Sequence, residues 1–263
     1  MRDNALRQAW AQGRRTVNGW LSIPSPFAAE VMAHQGWDSL TVDLQHGIVD
    51  YQAMVGMLQA ISTTPVVPMV RVPWLEPGIL MKVLDAGAYG VICPMINTAA
   101  DADLLVRACR YPPRGTRSFG PIRATIYGGA DYARHADRIV LVLAMIETAE
   151  ALDNLDAILR VDGLDGIYVG PSDLSNSLGC PPVLDPDAPR VVTAIEHVVR
   201  AAKAAGLHAG IHTAAPPYAR RMHELGFDFV SIGSDSRLMA MKSQEILAAT
   251  RGTAPVTDTP RTY

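Results

Sequence analysis

The sequence predicts a single (β/α)8 barrel. Eight short apolar segments alternate with eight longer amphipathic ones along the 263 residues, a length that suits one α/β barrel. Several of the short segments are hydrophobic at every position, which is typical of parallel strands covered on both faces. The structural alternative is a doubly wound open sheet, but no GxGxxG motif supports it.

The predicted strands and helices follow one another in strict alternation. Stretches rich in small residues, such as 86–90 and 225–229, precede strands, and their glycines suit the left-handed conformation that ends a helix. We predict strands at 17–23, 38–43, 66–71, 90–94, 139–146, 166–170, 208–212 and 228–233. We predict helices at 25–35, 51–62, 76–87, 98–110, 148–160, 187–205, 214–225 and 235–250.

We assign residues 1–251 to the barrel domain and expect residues 252–263 to form a disordered tail. Two stretches break the alternation. Residues 111–137 are rich in arginine and glycine, and we expect a long loop after strand 4, on the face where active sites lie. Residues 174–187 form a proline-rich connection after strand 6.

The composition excludes several classes of protein. Hydrophobic residues make up 49% of the chain, so a large core can form without lipid, and a net charge of −3 argues against a nucleic-acid partner. No apolar run reaches the roughly 18 residues of a membrane span, and the charged first 15 residues are unlike a signal peptide. Three cysteines without a CxxC pair argue against disulfides, so we expect a cytoplasmic protein.

In a (β/α)8 barrel the chemistry lies at the C-terminal ends of the strands. The predicted strand ends bring a base, a cation and two carboxylates to one rim. The candidates are Asp43, Gln45 and His46 after strand 2, Arg71 at strand 3, Glu147 after strand 5, Gly170 to Asp173 after strand 6, and His212 at strand 7.

Glu147 and Asp173 follow adjacent predicted strands. Two carboxylates in one partly buried pocket repel each other unless a cation or a proton lies between them. Mg²⁺ and Mn²⁺ commonly take one or two carboxylates, with water and substrate completing the coordination shell. The pair therefore predicts a divalent metal site, although each residue alone could cap the helix that follows it.

His46, Asp43 and Arg71 are the polar candidates of strands 2 and 3. His46 suits a general base because its ordinary pKa lies near 6.5; the alternative is a loop histidine bonded to main chain. Asp43 could orient His46 or form a buried ion pair with Arg71. Arg71 could clamp a carboxylate or an enolate oxygen through its planar fork.

Two further rim features leave alternatives open. The turn at Gly170, Pro171 and Ser172 could hold a carboxylate, but a plain turn fits equally well. His212 could contact a ligand or simply pack.

The three lysines all fall within predicted helices, outside the barrel; they are Lys82, Lys203 and Lys242. Schiff-base chemistry needs a lysine inside the pocket. Carbanion chemistry at this rim would therefore need a metal as its electron sink.

Several motifs resemble those of the HpcH/HpaI aldolase family, over about residues 15–250. They are VDLQHG (42–47), the VRV around Arg71, LDAGAYGVICPM (84–95), YPPRGTRSFGP (111–121), MIET (145–148), GPSDLSNSLG (170–179) and SIGSD (231–235). The resemblance implies a class II aldolase that cleaves 4-hydroxy-2-oxo acids to pyruvate and an aldehyde. Such substrates include 4-hydroxy-2-oxoheptanedioate and 2-keto-3-deoxy sugar acids.

The resemblance also implies roles for the rim residues. His46 matches the catalytic base and Arg71 the transition-state stabiliser. Glu147 and Asp173 match the ligands of a divalent metal, Mg²⁺, Mn²⁺ or Co²⁺. The segment from Gly170 to Ser172 matches the one that holds the substrate carboxylate.

Other positions qualify this picture. In the family, an aspartate at the Asp85 position strengthens the catalytic base. Asp85, however, ends a predicted helix near the opposite face of the barrel. From there it could reach a histidine of a neighbouring subunit. Gln45 stands where some members carry Glu, and Met145 where some carry a Gln that faces the substrate. Members are typically hexamers, trimers of dimers, that exchange the last barrel helix; helix 235–250 could do this or pack on its own barrel.

Two other functions are compatible with the barrel. A lyase of the citrate-lyase-β or malyl-CoA type would need a CoA-binding surface, for which the arginines of 110–123 are the only basic segment. A non-catalytic barrel that binds oxo acids is the second. Against it, all four positions that match the base, the stabiliser and the metal ligands are intact.

Overall fold

The structure is a computed structural model that describes residues 1–254. Eight parallel strands close into a barrel in chain order, with the last strand paired to the first, which confirms the predicted fold class. The strands are β1 (Thr16–Leu21), β2 (Ser39–Asp43), β3 (Val67–Arg71), β4 (Gly90–Cys93), β5 (Leu141–Ile146), β6 (Gly166–Val169), β7 (His208–Thr213) and β8 (Phe229–Ser234). Each lies within two residues of its prediction.

Helices surround the barrel, and most of their first turns are capped by side chains that accept main-chain N–H groups. The helices are α1 (Ala5–Ala11), α2 (Pro26–Ala33), α3 (Tyr51–Ile61), α4 (Pro77–Asp85), α5 (Ala99–Cys109), α6 (Ile122–Gly128), α7 (Tyr132–Ile139), α8 (Ala149–Asp153), α9 (Leu155–Leu159), α10 (Pro171–Ser177), α11 (Pro189–Ala204), α12 (Pro216–Leu225) and α13 (Asp235–Arg251). The predicted helix 148–160 is thus two short helices, α8 and α9.

The prediction for residues 111–137 is wrong in two respects. The segment contains α6 and most of α7, and it joins the end of α5 to the start of β5, so it lies at the N-terminal face of the barrel rather than at the active-site face. Arg117 Nη2 donates to Asp85 at the end of α4 (2.6 Å). Arg110 Nη1 donates to the carbonyl oxygen of Val140, just before β5 (3.0 Å). Hydrogen bonds from these two arginines therefore connect the N-terminal face of the barrel to the end of α4 and the start of β5.

The last helix, α13, leaves much of its apolar surface exposed. Only Asp235 and Ala248 are buried on it, while Met239, Ile246 and Leu247 are half exposed or more. The helix therefore does not bury its apolar residues on its own barrel. Within residues 1–254 no helix has the length and apolarity needed to cross a bilayer. Most of the tail predicted at 252–263 falls outside the described residues.

Candidate active site

Asp43 and Arg71 form a buried ion pair at the ends of β2 and β3. They are register partners on the two strands, so both side chains point into the barrel. Arg71 donates from Nε to Asp43 Oδ1 (2.8 Å) and from Nη2 to Oδ2 (2.6 Å). Burial raises the pKa of Asp43, but the hydrogen bonds and charge of Arg71 outweigh it and leave that pKa below its ordinary value. Asp43 is therefore ionised at neutral pH.

The same carboxylate organises the turn that carries His46. Asp43 accepts hydrogen bonds from the main-chain N–H groups of Gln45, His46 and Gly47, at 3.0, 3.3 and 3.1 Å. Asp43 thus pairs with Arg71 and also places His46, through the main chain. One side chain sets the spacing between the candidate base and the candidate cation.

His46 is partly exposed at the rim, and its pKa lies below the ordinary value of 6.5. Burial is the largest cause and the charge of Arg71 adds to it, while the charges of Asp43 and Asp173 oppose the shift. The ring is consequently neutral at pH 7, the form that can accept a proton.

Glu147 lies one residue past β5 and is 1% exposed. Its Oε1 accepts a hydrogen bond from the main-chain N–H of Met95 (2.8 Å). Burial and the charge of Asp173 raise the pKa of Glu147 to about 7, against the lowering effects of the Met95 N–H and Arg71. A bound cation would stabilise a desolvated carboxylate that lies beside a second carboxylate.

Met95 contacts the candidate ligand Glu147, and the sequence analysis gave it no role. It is the one non-glycine residue among the described ones with a positive φ, at 56°, a conformation that costs a side-chain-bearing residue about 1 kcal/mol or more. This conformation aims its N–H at Glu147. Nothing in a methionine that follows a proline signals such a conformation.

The first turn of α10 supplies Asp173 and Ser172, and Gly170 precedes it. Asp173 is half-buried and close enough for its charge to raise the pKa of both Glu147 and His46. Ser172 is 7% exposed, and its Oγ has no hydrogen-bond partner among the described residues. A Cβ at Gly170 would overlap Oε2 of Glu147, so only glycine leaves room for this carboxylate.

The two departures from the family pattern lie close to this rim. Met145 is buried on β5, and its Cε would come within 2.9 Å of a Cβ at Gly170. Gln45 is half-buried, and its Oε1 is a buried acceptor without a partner in the described part of the chain. An unpartnered buried oxygen at a pocket can take a hydrogen bond from a ligand.

His212 lies inside the barrel. It is 5% exposed, its ring packs edge-on against Trp20 (4.6 Å), and Tyr168 Oη lies 3.5 Å from its Nδ1. Burial lowers the pKa of His212 to about 3, so the ring is neutral. With Trp20 and Arg237 it lines a cavity of about 20 Å³, room for one or two water molecules.

Asp85 is not brought to this rim within one chain. It ends α4 at the opposite face and pairs with Arg117, whose side chain is fully buried. Burial raises the pKa of Asp85, although the hydrogen bond and charge of Arg117 act against it.

The rim offers two carboxylates, Glu147 and Asp173, as ligands for a cation. The described residues contain no group of three or more histidine, cysteine or acidic side chains arranged to hold a metal ion. Two carboxylates with substrate and water oxygens suit Mg²⁺ or Mn²⁺, whereas a structural zinc site needs four protein ligands. The donor set and the raised pKa of Glu147 therefore fit a hard divalent ion.

Comparison with known proteins identifies the family. The HpcH/HpaI aldolase/citrate lyase family matches residues 17–241. A hydroxypyruvate/pyruvate aldolase of Rhizorhabdus wittichii is 42% identical over 94% of this chain and 99% of its own. A 4-hydroxy-2-oxo-heptane-1,7-dioate aldolase of Salmonella paratyphi C is 39% identical over 95% of each chain.

A crystal structure of a family protein from Burkholderia cenocepacia superposes with a TM-score of 0.88. The two sequences are 34% identical, over 94% of this chain and 99% of the other. The match covers the whole barrel, including the strand ends that carry the rim residues. The chain is therefore a member of the HpcH/HpaI aldolase/citrate lyase family, a family of carbon–carbon lyases.

Proposed function

We propose that this enzyme is a divalent-metal-dependent class II aldolase that reversibly cleaves 4-hydroxy-2-oxo acids to pyruvate and an aldehyde. One observation carries the proposal: two adjacent carboxylates, Glu147 and Asp173, share a rim with a neutral histidine and a fixed guanidinium. The names of the aldolase relatives support the substrate class, and the first of them adds hydroxypyruvate as a second candidate product.

Glu147 and Asp173 would hold the ion, Mg²⁺, Mn²⁺ or Co²⁺. A bound divalent ion supplies positive charge that stabilises an enolate. All three lysines lie on exposed helix surfaces, far from a Schiff-base position, which supports the metal-dependent class; they are Lys82, Lys203 and Lys242.

The remaining steps fall to the chain's own side chains. In cleavage, His46, directly or through a water molecule, takes the proton from the C4 hydroxyl of the substrate. The C3–C4 bond then breaks, the aldehyde leaves, and the electron pair of that bond becomes the enolate of pyruvate. Arg71, fixed by Asp43, places positive charge beside the enolate oxygen, where fixed charge is most effective. Protonation at C3 gives pyruvate.

The other rim residues would bind and orient the substrate. Ser172 Oγ would donate to the carboxylate, with Gly170 and Pro171 shaping the turn around it. Gln45 and Met145 would contact the aldehyde portion. His212 would contribute to substrate binding through the small cavity that it lines together with Trp20.

The assembly is also part of the proposal. We propose a hexamer, a trimer of dimers, in which α13 packs on the partner's barrel, because its apolar residues are exposed on its own chain. We further propose that Asp85 acts on the His46 of a neighbouring subunit. Co-expression of His46→Ala with Asp85→Ala chains tests this: mixed hexamers should regain turnover that neither variant has alone, and an absence of complementation would refute it.

The rival CoA-dependent lyase is disfavoured by the partners that Arg110 and Arg117 already have. Both side chains are buried and form ion pairs with Asp165 and Asp85, so neither guanidinium is available to bind a CoA phosphate. Acyl-CoA cleavage assays would detect this activity. The non-catalytic alternative predicts binding of pyruvate without any turnover.

The first experiment needs no knowledge of the aldehyde. The protein is incubated with pyruvate in D₂O, with diamagnetic Mg²⁺ or with a chelator, and the methyl proton signal is followed by NMR. We expect metal-dependent loss of the signal. Exchange that survives complete metal removal would refute the metal's role, and an absence of exchange in both samples would refute pyruvate as the enolised substrate.

A further inference from the structure

Trp20 contacts both members of the Asp43–Arg71 pair. It lies on β1, is 1% exposed, and donates from Nε1 to Asp43 Oδ2 (3.1 Å). The Arg71 guanidinium carbon lies 4.9 Å from the centre of its ring, within the range of a cation–π contact. One indole thus binds the anion of the pair by its edge and the cation by its face.

The Trp20 ring also packs against two aromatic residues of the barrel interior. Tyr168 stacks against it at 6.1 Å and 27°, and His212 meets it edge-on at 4.6 Å. Tyr168 Oη donates to Ser231 Oγ (2.6 Å), and Asn18 Nδ2 donates to the same oxygen (2.9 Å). This interior network leaves the Trp20 ring little freedom to rotate.

Two functional groups depend on the same carboxylate. Asp43 accepts hydrogen bonds from Trp20, from Arg71 and from the N–H groups of the 45–47 turn, which carries His46. Loss of the indole N–H would let the carboxylate rotate toward its other donors. That rotation would move the guanidinium fork and the turn together.

Trp10 shows what a purely structural tryptophan looks like in the same barrel. It is 5% exposed, donates from Nε1 to Thr16 Oγ1 (2.8 Å), and packs on His208 and Phe229 at the N-terminal end. Burial, one hydrogen bond and aromatic neighbours are thus common to both residues. Only Trp20 makes its contacts with charged groups of the rim.

We propose that Trp20 is a positioning residue for the reaction, which holds the Arg71 fork and the His46 turn in register through Asp43. The expected change in kcat rests on the proposed aldolase function, whereas the expected change in the environment of Arg71 does not. Trp20 should affect the transition state rather than substrate binding, because Arg71 meets full negative charge only when the enolate forms.

The experiment compares Trp20→Phe, which keeps a ring and removes the N–H, with Trp20→Leu and with the matched control Trp10→Phe. All are full-length and loaded with Mg²⁺, and the assay is exchange of pyruvate methyl protons. We expect kcat to fall about tenfold in Trp20→Phe and further in Trp20→Leu, with KM for pyruvate changed less than about threefold. Trp10→Phe should keep kcat even where it lowers the thermal midpoint.

A second measurement does not depend on activity. The Nε–H signal of Arg71 in ¹H–¹⁵N spectra of the metal-free protein, assigned by its loss in Arg71→Lys, should shift in Trp20→Phe and stay in place in Trp10→Phe. An unchanged Arg71 signal, or wild-type kcat in a folded Trp20→Phe protein, would overturn the proposal. No exchange by the wild-type protein would instead refute pyruvate as the enolised substrate, and the spectra would still decide the role of Trp20.

Discussion

Arg71 donates to both carboxylate oxygens of Asp43 while each side chain is 2% exposed or less. The pair joins the ends of two neighbouring strands, so it is part of the barrel as well as of the site. Removing one partner of such a pair leaves an uncompensated buried charge, which costs far more than the pair itself contributes.

Asp43→Asn should therefore be among the most damaging single substitutions. We expect the free energy of unfolding of the metal-free protein to fall by about 3–5 kcal/mol, measured by urea denaturation. The exposed pair between Asp103 and Arg107 provides the control, since Asp103→Asn should cost less than about 1 kcal/mol. Equal effects of the two substitutions would contradict the buried charge pair.

The base assignment predicts a separation of turnover from metal binding. His46→Ala should lower the rate of pyruvate exchange by about 10²- to 10⁴-fold, because proton transfer loses its acceptor, while the bound Mn²⁺ per chain stays constant. His34→Ala, at an exposed position at the end of α2, is the control and should leave the rate unchanged. Full activity of His46→Ala would remove His46 from the mechanism.

The pKa of Glu147, raised to about 7 chiefly by burial, predicts how metal binding depends on pH. Only the ionised carboxylate binds a cation, so the affinity for Mn²⁺ should weaken about tenfold per pH unit below pH 7. Calorimetric titration between pH 5.5 and 8.5 measures this. A flat affinity over that range would contradict the raised pKa, and a stoichiometric ion in Glu147→Gln would contradict its role as ligand.

The same group predicts the opposite trend for the metal-free fold. A pKa that is raised on folding contributes stability below the ordinary value near 4.5, and this is lost as the pH rises through about 7. The loss from pH 4.5 to 8 should be about 3 kcal/mol for Glu147. The contribution of Glu147 is the difference in free energy of unfolding between wild type and Glu147→Gln, measured in chelator across this pH range. Parallel pH profiles of the two proteins would rule out such a contribution.

Substitution of Ser172 should impair substrate binding without lowering stability. Its Oγ is buried without a partner among the described residues, so Ser172→Ala should leave the thermal midpoint unchanged but raise KM for pyruvate about ten- to hundredfold through loss of one hydrogen bond to a charged group. Ser175 is the matched control in the same helix: its Oγ donates to the Pro171 carbonyl (2.7 Å). Ser175→Ala should lower stability by about 1 kcal/mol and affect KM less.

The barrel itself was readable from the sequence because its signals are local. Apolar segments such as 139–146 are hydrophobic throughout, as buried parallel strands must be, and the positions of Asp43, Arg71 and Glu147 at strand ends follow from the strand boundaries. The predicted rim residues of strands 2, 3, 5 and 6 consequently do lie together. Counting strands was sufficient to place these residues.

Long-range relationships were not readable. Residues 111–137 were predicted to form a loop at the active-site face because they break the alternation after strand 4. Two of their arginines, Arg117 and Arg123, instead bind Asp85 and main-chain carbonyls at the other face. The missed contributions of Met95 and Trp20 arise from a backbone angle and from contacts between distant strands. Neither leaves a local pattern in sequence.

Met95 orients the candidate ligand Glu147 with a main-chain N–H, so the Met95 side chain takes no part in this contact. The side chain at position 95 could therefore be changed without altering the group that orients Glu147, and glycine there would even relax the backbone. Changes in chain length are another matter. One residue inserted between β4 and Met95 would turn that N–H away, so the segment should tolerate new side chains far better than insertions.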